Sequence, residues 1–282
     1  MTFRLKSLLL LLIVVLLPAC SSTTFVYNRL DFLIPWYMGK YVDLDRAQKQ
    51  LLDTELQPFL AWHRGEELPA YRVVLEDIDR TLDGEVTPAQ VAAIADEFEA
   101  AWLRTEARAL EWMMVIGAEL SSEQMEDFLE NLREQQAEYE EKYLERSDEE
   151  YVEEAYENLL DSVQDYLGRL DWGQRSILET AASRLQRSDS IWLREREAWL
   201  RRMEVILQRE EGWQQALRDA LAERDTTNSA DYVAVYEHNA GVIFDAMAKV
   251  LNSRNDKQDH KLRGKLDDFR DDLDTLIARG QS

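Results

Sequence analysis

Leu120-Ser121-Ser122-Glu123-Gln124 is written as a helix start. The Ser121 oxygen can accept from an early backbone N–H, Gln124 can reach back to the N–H of the cap, and Leu120 can pack on the first turn. The same form, an apolar residue, then Asp, Thr or Ser, two residues and Gln, recurs at Leu44-Asp45-Arg46-Ala47-Gln48, Val86-Thr87-Pro88-Ala89-Gln90 and Leu170-Asp171-Trp172-Gly173-Gln174. The capping candidates are therefore Asp45, Gln48, Thr87, Gln90, Ser121, Gln124, Asp171 and Gln174. Pro88 strengthens its copy, because the first helical position has no use for an N–H. Ser147-Asp148-Glu149-Glu150 is a fifth start with Glu in place of Gln. The copies are unevenly spaced, which argues against a solenoid repeat.

With Gly and Asn as stops, these starts predict helices over 44–64, 69–82, 87–117, 121–146, 148–169, 172–187, 189–224, 230–252 and 255–279. The fold class expected is all-α, an elongated bundle of about eight or nine helices. Pro58 should bend the first of them. Ten Gly and five Pro in 282 residues are too few for the turns of a sandwich or barrel. In the longest helix, Trp192-Leu193, Trp199-Leu200, Ile206-Leu207, Trp213 and Ala220-Leu221 recur every seven residues, a stripe that keeps facing one partner. Charge is uneven: 16 acids stand between Glu123 and Asp161 against Arg133, Lys142 and Arg146, whereas Arg184 to Arg224 holds nine arginines and eight acids. The acidic helices either lie beside the arginine-rich one or face solvent.

The N-terminus carries Arg4 and Lys6, then an apolar run from Leu8 to Leu17, the layout of a secretory signal over residues 1–19. Ten apolar residues are too few to span a bilayer, which takes roughly 20. Leu17-Pro18-Ala19-Cys20 resembles the bacterial lipobox, which implies cleavage before Cys20 and its acylation by palmitate and related chains. Ser21 after the cysteine implies, by the same resemblance, the periplasmic face of the outer membrane, with the inner membrane as the alternative. Loss of residues 1–19 removes two cations and leaves 31 basic residues against 56 acidic ones, a surface that repels nucleic acid.

Residues 20–43 follow as a lipidated cysteine and an aromatic strap, with Phe25, Tyr27, Phe32, Trp36, Tyr37 and Tyr41 crowded between Thr24 and Val42. A passive linker would be rich in Gly and Ser. Trp36, Tyr37 and Tyr41 have three placements open to them: against the protein's own helices, in the membrane interface, where Trp and Tyr are favoured, or on a partner. The helical domain is expected over 44–282, with a subdivision near 170.

Chemistry is sparse. There is no G-x-G-x-x-G, G-x-x-x-x-G-K, G-x-S-x-G, H-E-x-x-H or C-x-x-C. A di-iron bundle needs Glu-x-x-His pairs, but His63, His238 and His260 are preceded at that spacing by Leu60, Val235 and Lys257. No catalytic residue, cofactor or metal is expected, and His63 beside Trp62 reads as a helix-face residue. Trp102, Trp112, Trp192, Trp199 and Trp213 read as core, with an apolar groove as the alternative.

The capping sequences resemble the L-T-x-x-Q motifs of the periplasmic Spy and CpxP type, which implies a chaperone or stress-sensor role. Thr occurs only at Thr87, however, and the strongly negative charge departs from the basic concave face of such chaperones. Tyr27-Asn28-Arg29-Leu30-Asp31, Ile34-Pro35-Trp36-Tyr37 and Val42-Asp43-Leu44 resemble a family of Gram-negative lipoproteins known only as a domain of unknown function. That resemblance implies an anchor, a strap and a helical body, and no activity. The expectation is a non-enzymatic lipoprotein, held to the membrane by acyl chains, that binds or scaffolds periplasmic proteins or peptides. A chaperone or stress sensor is one alternative, and an accessory subunit of an envelope hydrolase another.

Overall fold

The computed structural model describes residues 22–280, so the signal stretch 1–19 and Cys20 lie outside the described residues. The chain forms α1 (Ser22–Tyr27), α2 (Leu30–Met38), α3 (Arg46–Trp62), a π-helical turn (His63–Glu67) and α4 (Leu68–Thr81). There follow α5 (Pro88–Glu119), α6 (Ser122–Leu144), α7 (Asp148–Leu167), α8 (Trp172–Arg184), α9 (Asp189–Ile206), α10 (Trp213–Glu223), α11 (Ala230–Asn252) and α12 (Asp256–Gly280). No strand occurs among the described residues, and the class is all-α.

The expected eight or nine helices are too few. The strap supplies two short ones, and the stretch 189–224 is two helices and not one. Its break is built at Arg209, whose φ of 59° is left-handed, and at Gly212, with φ of 86°. A non-glycine residue in that region is uncommon, and here its side chain is tied down: the Arg209 guanidinium donates to the carbonyls of Gly117 (2.9 Å) and Leu120 (2.6 Å) at the end of α5. The opposite correction applies between 64 and 69. The chain stays helical there, with the Leu68 N–H bonded to the His63 carbonyl in a widened π turn.

Helix starts at Asp45, Thr87, Ser121, Ser147 and Asp171 each show a reciprocal capping box. Two of them are joined. Gln48 and Gln124 exchange amide hydrogen bonds of 2.8 Å, and each also donates across the junction, Gln48 to the Glu119 carbonyl and Gln124 to that of Asp43. The arrangement repeats at the other end of the sequence, where Gln174 pairs with Gln258 at 2.9 Å and the two donate to the Ser253 and Arg169 carbonyls. Gln258 belongs to a further box with Asn255.

Apolar packing is divided among clusters that α5 connects. One gathers Leu75, Leu82, Val86, Leu167, Leu178, Val250 and Leu262, with Val91 of α5 against it. Another holds Leu52, Leu56, Trp112 and Ile116, and a third holds Leu110, Met114 and Trp213. At 32 residues, α5 is about 48 Å long, enough to serve all three. The acidic run divides. α6 lies beside arginine-rich α9, with Arg133 on Glu204 (2.7 Å) and Arg146 on buried Asp189 (2.6 Å), while α7 packs against α8 and α12.

Candidate binding cleft

α9 presents Trp192, Arg196, Trp199 and Arg202 at steps of three and four residues, which puts them on one face of the helix. That face meets Arg224 after α10, Thr227 and Asn228 in the following connection, and Tyr232 at the start of α11. Together with Glu195 they line a cleft of about 180 Å³. Of the tryptophans expected in the core, Trp112 and Trp213 are buried there, whereas Trp192 and Trp199 form walls of this cleft.

Three arginines line it, and their guanidinium groups are held differently. Arg202 pairs with Glu223 at 2.8 Å. Arg224 forms two parallel bonds with Glu106, of 2.9 and 3.0 Å, and its guanidinium lies 6.0 Å from the Trp199 ring. Arg196 is the most enclosed, 9% exposed, and lies 5.0 Å over the Tyr139 ring. Its acceptors are the side-chain oxygens of Gln135 (2.9 Å) and Gln136, both neutral. Among the described residues, no ion pair joins Arg196 to a carboxylate; Glu140 is near enough for its charge to favour the guanidinium, but its hydrogen bond comes from Gln136, at 2.6 Å. Burial pushes the Arg196 guanidinium below its ordinary value. Glu195, the one carboxylate lining the cleft, is engaged by Ser229 and by Arg194 at 3.3 Å. Removing a guanidinium from water costs several kcal/mol unless a counter-charge and good hydrogen bonds compensate it. Amide dipoles compensate in part; an anion would do so fully, and Arg is the side chain best shaped to hold a carboxylate or phosphate in two parallel bonds.

The strap behaves as a two-sided element. Its body side is tied down by Thr24 donating to Asp272 (2.8 Å), Arg64 donating to Asn28 (3.1 Å) and Tyr27 against His63 Nδ1 (2.9 Å). Asn131 donates to the Tyr41 carbonyl at 2.9 Å, and Gln135 to its hydroxyl at 3.2 Å. Ile34 and Met38 reach the cluster around Leu52 and Trp112. On the outer side, Phe25, Phe32, Trp36 and Tyr37 are all more than half exposed. His63 is enclosed rather than simply a helix-face residue. Its Nε2 lies 3.3 Å from the Tyr71 hydroxyl, and burial holds its pKa down to about 4 from 6.5.

The capping residues Asp45, Gln48, Thr87, Gln90, Ser121, Gln124, Asp171 and Gln174 stand at helix starts and do not line the cleft; their side chains are engaged by backbone and, at Gln48, Gln124 and Gln174, also by a partner amide. Among the described residues, no three of His, Cys, Asp and Glu are placed to hold a metal ion, and no helix is long and apolar enough to cross a membrane. Sequence reasoning missed Arg196, Asn228 and Tyr232 as one site. The only signal was the spacing of Trp192, Arg196 and Trp199, which reads equally well as a packing stripe.

No curated protein matches this chain, and no solved structure does. A family model described as a family of unknown function, DUF6279, matches residues 40–233. The matched segment contains every residue lining the cleft and begins after most of the strap. The chain therefore belongs to the DUF6279 family.

Proposed function

We propose that the protein is a non-enzymatic lipoprotein, acylated at Cys20 and held on the periplasmic face of the outer membrane. Its elongated helical body binds an anionic group carried on an apolar frame, of the kind a peptide presents at its C-terminal residue. The observation that carries the reading is Arg196, a residue that lines the cleft together with Trp192, Trp199 and Tyr232 and whose guanidinium has amide oxygens and no carboxylate as its acceptors. The cleft offers a cation for the anionic end and aromatic faces for the rest, the division of labour usual in small-molecule and peptide sites. Its lining pairs no nucleophile with a base, which favours binding over turnover.

Titration with N-acetylphenylalanine, followed by tryptophan fluorescence, tests it. A saturable change is expected with the acid, much less with the corresponding amide, and none in an Arg196→Met variant that keeps the wild-type melting profile. Equal responses to acid and amide, or an unaffected variant, overturn the cleft assignment. The anchor is tested separately by mass spectrometry of the N-terminal peptide. The chaperone reading of the Spy and CpxP kind and the hydrolase-subunit reading remain the alternatives. Suppression of client aggregation by the purified protein would favour the first, and co-purification with a hydrolase the second.

A further inference from the structure

The nine residues of α2, Leu30-Asp31-Phe32-Leu33-Ile34-Pro35-Trp36-Tyr37-Met38, are apolar nearly all round, yet none of them is buried. A helix of that composition is ordinarily enclosed in a core or lies in lipid. One side is accounted for, since Ile34 and Met38 pack on the body. The other carries Phe32, Trp36 and Tyr37, which are 53–62% exposed, and Phe25 of α1 is 62% exposed as well. Two cations border this face: Lys40 Nζ lies 4.6 Å from the Trp36 ring, and the Arg29 guanidinium 5.3 Å from that of Phe25. Asp31 is the one acid on these helices, in a protein whose net charge is -23.

We propose that this face of α1 and α2 rests in the headgroup layer of a phospholipid bilayer, with Phe25, Phe32 and Trp36 at the level of the acyl boundary and Arg29 and Lys40 among the phosphates. Three observations select lipid as the occupant. Trp and Tyr beside Lys and Arg are the side chains that favour a membrane interface. The face carries Arg29 and Lys40 against Asp31 on a molecule of net charge -23, so phosphate meets a local excess of cations there. Cys20, the acylation site on which this inference rests for its anchor, lies two positions ahead of Ser22, so at most about 7 Å of extended chain separates the two. The strap then acts as a second attachment beside the acyl chains and fixes which side of the body faces the membrane, whereas acyl chains alone leave it free to turn.

The test uses the full-length protein reconstituted into phosphatidylethanolamine–phosphatidylglycerol vesicles. Tryptic cleavage after Arg29 and Lys40 is expected to slow at least tenfold on vesicles. Trp36 emission, isolated by difference from Trp36→Phe, is expected to be quenched by lipids brominated near the headgroup. A Phe32→Ser/Trp36→Ser/Tyr37→Ser variant, altered only at exposed positions, should stay vesicle-bound through its acyl chains and be cleaved at the lipid-free rate. Cleavage of vesicle-bound wild type at the lipid-free rate overturns the proposal, as does protection that appears without vesicles and rises with protein concentration, the mark of a second copy on this face. The mass of the N-terminal peptide separates this outcome from failure of the anchor. If it carries no acyl chains, flotation of the protein with vesicles still supports the strap, and its absence still overturns it.

Discussion

The side-chain amides of Gln48 and Gln124, 76 residues apart, each donate to the other's oxygen at 2.8 Å while each also caps its own helix. Every polar atom of the pair is engaged, in a junction where Gln48 is buried. Removing either side chain strands polar groups of both helix starts, and a buried polar group left unsatisfied costs about 1–3 kcal/mol. Gln48→Ala and Gln124→Ala are each expected to destabilise by about 2 kcal/mol, and the double variant by clearly less than the sum of the two. A denaturant double-mutant cycle measures this; strict additivity would mean that the two boxes act separately.

Thr87 and Gln90 form a box of the same chemistry, but it stands alone and exposed. Thr87→Ala should cost on the order of 1 kcal/mol, and Gln90→Ala less than that. The comparison with Gln48 separates the worth of a cap from that of a junction. If Gln90→Ala proves as damaging as Gln48→Ala under identical conditions, the pairing contributes nothing beyond the cap.

His63 makes stability depend on pH. Its folded pKa, about 4, lies below the unfolded value of about 6.5 because burial disfavours the imidazolium, with Glu67 pulling weakly the other way. Above pH 6.5 both states hold it neutral and its contribution is fully present. As pH falls towards 4 the unfolded state takes up the proton first, and about 3 kcal/mol is lost. Between pH 7.5 and 4.5, His63→Gln should lose markedly less stability than wild type, as followed by chemical denaturation at each pH. Parallel losses would place the pH sensitivity elsewhere.

Arg209 combines a left-handed backbone with a guanidinium that caps α5. Both Arg209→Ala and Arg209→Gly forfeit those bonds, but only alanine retains the backbone penalty, which is about 1–2 kcal/mol for a residue with a Cβ. Melting experiments should therefore rank wild type above Arg209→Gly, and Arg209→Gly above Arg209→Ala by roughly 1 kcal/mol. Equal stability of the two variants would show that the turn relaxes once the guanidinium is gone.

Most helix starts can be read in the sequence because capping is local: donor, acceptor and spacing all lie within five residues. Asn255 and Gln258 form the same box, but Arg254 stands where the four Gln-bearing copies at Asp45, Thr87, Ser121 and Asp171 have an apolar residue, and a search for that full form passes over it. The break after α9 is not legible. The heptad stripe of Trp192, Trp199, Ile206 and Trp213 runs through it, and the left-handed Arg209 in the break is tied to carbonyls about 90 positions earlier. Gly65 and Pro69 read as an interruption, but an extra residue can be absorbed by widening one helical turn. The cleft was hidden for a similar reason. Whether Arg196 faces a carboxylate or an amide depends on α6, and no local pattern in α9 records that.

The contact of α12 with α1 sets an order of events in time. Thr24 bonds Asp272 across 248 positions, and α12 also covers the π turn and α4. Until α12 has been made, the Thr24 hydroxyl lacks this acceptor, and the segment is held by the nearer contacts of Tyr27 with His63 and of Asn28 with Arg64. Contacts of such long sequence separation form slowly. The first described helix is thus fastened in two stages, to the π turn by contacts about 36 positions apart and to α12 only by one that spans nearly the whole chain.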